Sequence, residues 1–180
     1  LKEFLPQIAQ AEYFGHPGNQ GDAIKWGVEL GADISCMSAY QGHGSIAIPQ
    51  KILITWAIIM QGGIQVNKEG YRFTNEHLGY SEQSVQVLRQ TGSVAWVIFD
   101  DRIRDFGREF DDFNQAENLG AVHTGETAEI LANKTGINAK NLHATIRRSQ
   151  KMAAGKILDN FGRDFTKCPG LGSPYHAIKV

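Results

Sequence analysis

Apolar residues recur at helical spacing over 3–13, where Pro6 is tolerable only near a first turn. A turn-rich stretch follows, His16-Pro17-Gly18-Asn19-Gln20-Gly21-Asp22. Asp22 then reads as the N-cap of a short helix whose face carries Ala23, Trp26, Gly27 and Leu30, with Gly31 as its left-handed C-terminal cap. Residues 33–39 and 51–59 read as strands, the second apolar on both faces. A turn at Gln61-Gly62-Gly63, a short alternating run at 64–66 and a second turn at Lys68-Glu69-Gly70 predict a hairpin ending at 71–73. Ser81 is placed to cap a helix reaching about Gln90, and 94–99 is a further strand.

After Asp100 the pattern turns helical and polar, with Asp111 and Asp112 expected in a loop. Thr124 is a candidate cap for a helix through Lys134. Gly136 ends that helix, and Asn138 caps the next one, which runs to about Gly155. The glycine- and proline-rich tail reads mostly as loop. Together these elements predict an α+β fold: a small, curved, mixed sheet with helices grouped around it.

Composition narrows the function classes. The chain has 180 residues, 42% hydrophobic, enough for one core with a ragged extension. A net charge of −1 disfavours a protein that works mainly on nucleic acid or anionic membrane. The longest apolar run, 52–60, is too short to span a bilayer. Cys36 and Cys168 stand far apart without metal-type spacing, so a reduced, cytoplasmic setting is expected, with one long-range disulfide as the alternative, and the six histidines have no metal-ligand spacing. A start at Leu1 and an end at Ile178-Lys179-Val180 read as an excised segment without a signal peptide.

Three blocks carry a family likeness. The first is His16-Pro17-Gly18-Asn19-Gln20-Gly21-Asp22 with Gly31-Ala32. The second is Gly62-Gly63-Ile64-x-Val66-Asn67-x-x-Gly70-x-Arg72-Phe73-x-Asn75-Glu76. The third is Ala95-Trp96-x-Ile98-Phe99-Asp100. In order and spacing they resemble the fumarate reductase and succinate dehydrogenase flavoproteins. Phe161-Gly162-Arg163 and Pro174-Tyr175 extend the likeness over nearly the whole chain.

The resemblance implies a capping domain inserted into an FAD-binding domain. Residues 1–45 would lead out of the FAD domain, 46–165 would form the cap, and 166–180 would return. FAD would be bound by the missing domain, since the chain has no Gly-x-Gly-x-x-Gly turn between a strand and a helix to receive a pyrophosphate. The implied reaction adds or removes hydrogen across a carbon–carbon bond beside a carbonyl or carboxylate. The implied partners are a small enone or carboxylate and the chain's own FAD domain.

The same resemblance assigns candidate roles. Fumarate reductases carry a proton-donating arginine four residues after the Asn-Glu motif; Tyr80 stands there instead. Their upstream Thr-Glu pair and second arginine align with Thr55, Trp56 and Ile59, so only the threonine is kept, as a substrate contact. A tyrosine at position 80 is similar to 3-oxosteroid dehydrogenases, and the altered pattern also suits tricarballylate dehydrogenase-like members. A free tyrosine, with a pKa of about 10, is a poor base and needs neighbours that favour its ionised form. The family's substrate-binding histidine falls on His43 by ungapped counting and on Tyr40 by matching the preceding strand. Asn19, Gly21 and Asp22 match an FAD contact. Arg163 reads either as a clamp for an anionic substrate or as a surface charge. Arg72 and Glu76, four apart, read as a structural ion pair.

One stretch supports a different class. Residues 127–150 have helix-turn-helix spacing, and 133–156 carry six basic residues and no acid, leaving −7 for the rest. A nucleic-acid-binding module centred there is the alternative.

Overall fold

The computed structural model describes residues 4–180, which divide into two compact units, Leu1–Gln41 and Gly42–Val180. In the first unit a 3-10 turn at Pro6–Ile8 replaces the helix expected over 3–13; Glu3 lies outside the described residues. Leu5 and Ile8 are buried there, and Pro6 opens the turn, where its missing N–H costs nothing. Helix α1 (Asp22–Glu29) forms as expected, but Gly21 is its N-cap, at φ 77°, and Asp22 is its first residue. The Asp22 carboxylate lies 3.4 Å from Lys25 Nζ, and an acid in the first turn suits the helix dipole. Gly31, at φ 85°, ends the helix. Residues 33–39 form no strand, because Cys36 takes φ 55° and the Ala39 N–H closes a turn onto its carbonyl.

The second unit is α+β. Strands β1 (Ile46–Ala47) and β2 (Ile52–Leu53) pair as a short ribbon. A four-stranded sheet joins β3 (Ile64–Val66), β4 (Trp96–Asp100), β5 (Val122–Gly125) and β6 (Tyr175–Lys179) in the order β3-β4-β6-β5. Every pair in it is antiparallel, in place of the expected mixed sheet. Segment 166–180 therefore supplies an inner strand of this sheet.

Helices α2 (Ala57–Met60), α3 (Tyr80–Leu88), α4 (Asp101–Gly107), α5 (Asp111–Asn118), α6 (Ala128–Thr135) and α7 (Ala139–Ala153) surround the sheet. The core joins Ile58, Ile64, Ile98, Phe99, Phe113 and Ile146, all buried. His176 on β6 is wholly buried; its Nδ1 lies 2.9 Å from Thr124 Oγ1 and its Nε2 2.7 Å from Asp101 Oδ1.

Several local expectations are corrected. The apolar run 51–59 is split between β2 and α2, since continuous burial erases the periodicity that separates strand from helix. Thr55 Oγ1 accepts the Ala57 N–H at that junction. Residues 71–73 are not a strand: β3 pairs with β4, and Asn67 Oδ1 takes the Tyr71 N–H, closing the turn locally. Helix α3 begins at Tyr80 after Gly79 at φ 130°, so Ser81 lies inside it and does not cap it. Thr124 belongs to β5, and Thr127 caps α6 through the Ile130 N–H. Asp111 and Asp112 open α5. Gly136 and Asn138 act as expected, ending α6 and capping α7.

Phe113 is fully buried and meets Phe99 edge-on at 5.9 Å. Phe113→Ala should lower unfolding free energy by about 3–5 kcal/mol, read as a lower urea midpoint at unchanged slope.

Candidate active site

The turn after the first unit, Gly42 to Ser45, is docked on the N-terminus of α3. The Gly42 N–H donates to Ser81 Oγ at 3.0 Å, and the Gly44 N–H donates to the Tyr80 carbonyl at 2.9 Å. A Cβ on Gly44 would lie 2.9 Å from the Gln83 backbone, so the approach requires glycine. This docking sets His43 against Tyr80: their rings stack with centroids 5.1 Å apart and planes 22° apart. Trp56 completes the group, edge-on to His43 at 5.8 Å and to Tyr80 at 6.4 Å.

His43 is half-buried, and Tyr80 keeps 37% of its surface exposed. Burial lowers the His43 pKa, and the Ser45 N–H donates to Nδ1 at 3.2 Å. The imidazole is therefore neutral near pH 7, with Nδ1 engaged as an acceptor. Trp56 Nε1 is buried without a hydrogen-bond partner among the described residues. Thr55 adjoins the group through Trp56, with its hydroxyl taken by the Ala57 N–H.

Behind these residues lies a buried ionic cluster. Arg72 grips Glu76 with two bonds, Nε to Oε1 at 2.8 Å and Nη2 to Oε2 at 2.6 Å. Its Nη1 reaches Asp159 at 2.6 Å. Arg163 adds Nη1 to Glu76 Oε2 at 3.2 Å, and its guanidinium also donates to the carbonyls of Gly63 and Ile59. Phe165 lies under both guanidinium groups, at 4.7 Å from Arg72 and 4.4 Å from Arg163. Burial alone would raise the Glu76 pKa, but the bonds and charge of Arg72, with the charge of Arg163, hold it below the ordinary carboxylate value. The Arg72–Glu76 pair expected from the sequence is present. Arg163 is interior, with 1% of its side chain exposed, so the surface-charge reading is excluded.

Asn19, Gly21, Asp22 and Tyr40 belong to the first unit. There the first turn of α1 has no side-chain cap, and a Cβ on Gly21 would meet nothing within 4 Å. Asn19 and Asp22 are exposed and Gly21 is half-buried. Gly170 and Gly172 precede β6.

Comparison with known proteins assigns the lineage. The family described as FAD binding domain matches residues 1–180. This chain belongs to that family. A cytochrome-type fumarate reductase of Shewanella frigidimarina is 30% identical over 165 residues, covering 91% of this chain and 28% of the relative. A 3-oxosteroid 1-dehydrogenase of Mycobacterium tuberculosis is 25% identical over 169 residues, covering 83% and 29%. An open-conformation flavocytochrome c3 fumarate reductase superimposes with TM-score 0.78 at 27% identity, over 99% of this chain and 31% of that one. A fumarate reductase flavoprotein subunit of Lactobacillus plantarum, solved in solution, shares the fold at TM-score 0.58 and 23% identity, over 77% of this chain and 91% of that one. The chain thus spans less than a third of the curated relatives just described. No helix among the described residues is long and apolar enough to cross a membrane.

Sequence reasoning singles out Tyr80 and His43 but gives Trp56 no role beyond the loss of an acid. It also passes over Ser81, Gln65 and Gln83 as site neighbours. The only hint is polar residues, Gln65 and Gln83, at positions whose periodicity faces the core.

Glu76→Gln removes the anion between two buried guanidinium groups and should cost about 3–5 kcal/mol by denaturant unfolding. Because the folded-state pKa of Glu76 is depressed, its contribution is complete above the unfolded value of about 4.3. That contribution should fade as pH falls through the folded pKa. Wild type and Glu76→Gln should therefore converge in stability in acid and differ most near neutrality.

Proposed function

We propose that this chain is the substrate-capping part of an FAD-dependent oxidoreductase that moves hydrogen across a carbon–carbon bond beside a carbonyl or carboxylate. The observation that carries the reading is the stacked His43–Tyr80 pair beside Trp56, a hydroxyl and a neutral imidazole on one patch. On this reading residues 1–45 lead out of the FAD domain, 46–165 form the cap and 166–180 return to it. Asn19, Gly21 and Asp22 touch the flavin nucleotide, whose main binding surface lies outside these residues. Bound FAD supplies the hydride chemistry.

Tyr80 exchanges the proton, because its hydroxyl is the acid–base group that the patch presents beside the imidazole. The neutral His43 ring orients the substrate carbonyl through the nitrogen not bonded to Ser45. His43, rather than Tyr40, takes the histidine position, since it is the ring in contact with Tyr80. Thr55 and Trp56 line the same patch. Arg163 has a structural role, because its Nη groups are taken up by Glu76 and two carbonyls. The trio contains no carboxylate or guanidinium, which favours an enone or a weakly charged carboxylate over a dicarboxylate such as fumarate.

The nucleic-acid alternative loses its motivation in the packing. Helices α6 and α7 bury Leu131, Leu142, Ile146 and Met152 in the core, and Lys134 and Arg148 are bonded to the Thr124 carbonyl and Asn160. Their spacing is accounted for as a helix pair backing the sheet.

In the intact flavoprotein, Tyr80→Phe should lower kcat by about 10²–10⁴-fold with the FAD spectrum unchanged. Stopped-flow reoxidation of reduced flavin by fumarate and by 4-androstene-3,17-dione tests this. A Tyr80→Phe variant as fast as wild type with either substrate would overturn the reading.

A further inference from the structure

Two buried amides have no part in the roles assigned so far. Gln65, on β3, is 0% exposed, and Gln83, on α3, is 2% exposed. Gln83 Nε2 donates to Gln65 Oε1 at 2.7 Å, and Gln65 Nε2 donates to the Gly44 carbonyl at 2.7 Å. The Gln65 backbone N–H runs the other way, to Glu76 Oε1 at 3.2 Å. A continuous line of bonds therefore leads from the ionic cluster, through β3, to the residue that follows His43.

Apolar side chains would fill this space without the desolvation cost that buried amides carry. What apolar packing lacks is direction. The Gln65 amide is fixed at both ends, so its donor is aimed at one carbonyl, which fixes one face of the Gly42–Ser45 turn. The other face is fixed by the Gly44 N–H on the Tyr80 carbonyl and the Gly42 N–H on Ser81 Oγ. Without the amides the Gly44 carbonyl is buried and unpaired, and the turn relieves this by rotating and carrying the His43 ring with it.

We propose that Gln65 and Gln83 are positioning residues that hold the His43 ring stacked on Tyr80 beside Trp56. The inference rests on the reading of His43 and Tyr80 as the working pair, and it adds that their alignment is set by this amide relay.

The test follows the His43 ring directly by NMR of the ¹³C-histidine-labelled 180-residue chain, with the signal assigned by loss in His43→Gln. In wild type the His43 Hε1 resonance should carry the ring-current shift of Tyr80 and Trp56. Gln65→Met and Gln83→Met are near in volume and lack the amide. In both, the resonance should move toward that of exposed His16, while the His176 signal, buried in the sheet, stays in place. Gln83→Met leaves the Gln65–Gly44 bond intact, so it is the milder variant and is informative if Gln65→Met unfolds. A His43 signal unmoved in a folded variant would overturn the proposal.

A double-mutant cycle on turnover in the intact flavoprotein separates positioning from general support. Gln83→Met should cost roughly tenfold or more in kcat with His43 present and less than about twofold in a His43→Ala background. Equal losses in both backgrounds would refute action through His43. Normal turnover by Tyr80→Phe with the expected NMR shift would instead overturn the catalytic reading and leave the relay standing.

Discussion

Glu76 is a carboxylate with almost no contact with water, and such a group cannot be held charged inside a protein without close partners. Here it has two guanidinium groups and a backbone N–H. Arg72 comes from the turn after β3, Arg163 from a loop 87 residues beyond Glu76, and the N–H from Gln65 in β3 itself. A single buried anion thus ties together the sheet edge, the lead into α3 and the 159–165 loop. Phe165 closes the cluster from below and excludes the water that would weaken it.

The site is built on that anchor. Glu76 is followed within four residues by Tyr80, the first residue of α3, so fixing the carboxylate also fixes where the helix starts. The helix start, through the Tyr80 carbonyl and the Ser81 hydroxyl, then receives the turn bearing His43. Trp56, on the lip of α2, comes in from a third direction. Three distant segments meet in one aromatic patch because each is tied to the same few buried polar groups. In the family to which the chain belongs, relatives include both fumarate reductases and 3-oxosteroid dehydrogenases, so the fold alone leaves the reaction open.

Sequence patterns carried the local features with local causes. The left-handed Gly31 and Gly136, the Asn138 cap and the Arg72–Glu76 pair each depend on neighbours within a turn or two, and all are present. So are the α+β class and the spaced motifs that marked the family. Features with non-local causes were missed. The run 51–59 became part strand and part helix because burial on all sides removes the periodic signal. Residues 71–73 lost their expected partner because β4, on the far side of α3, pairs with β3 instead.

The sequence by itself thus determined the lineage and the helix boundaries marked by glycine and asparagine. Those follow from residue type and short-range geometry. Only the tertiary structure decided that Arg163 is an interior counter-ion rather than a surface charge, that His43 stacks on Tyr80, and that Gln65 and Gln83 join them to Glu76. Such contacts link residues 11 to 104 positions apart, and what selects them is the need to satisfy buried charge and buried amides at once.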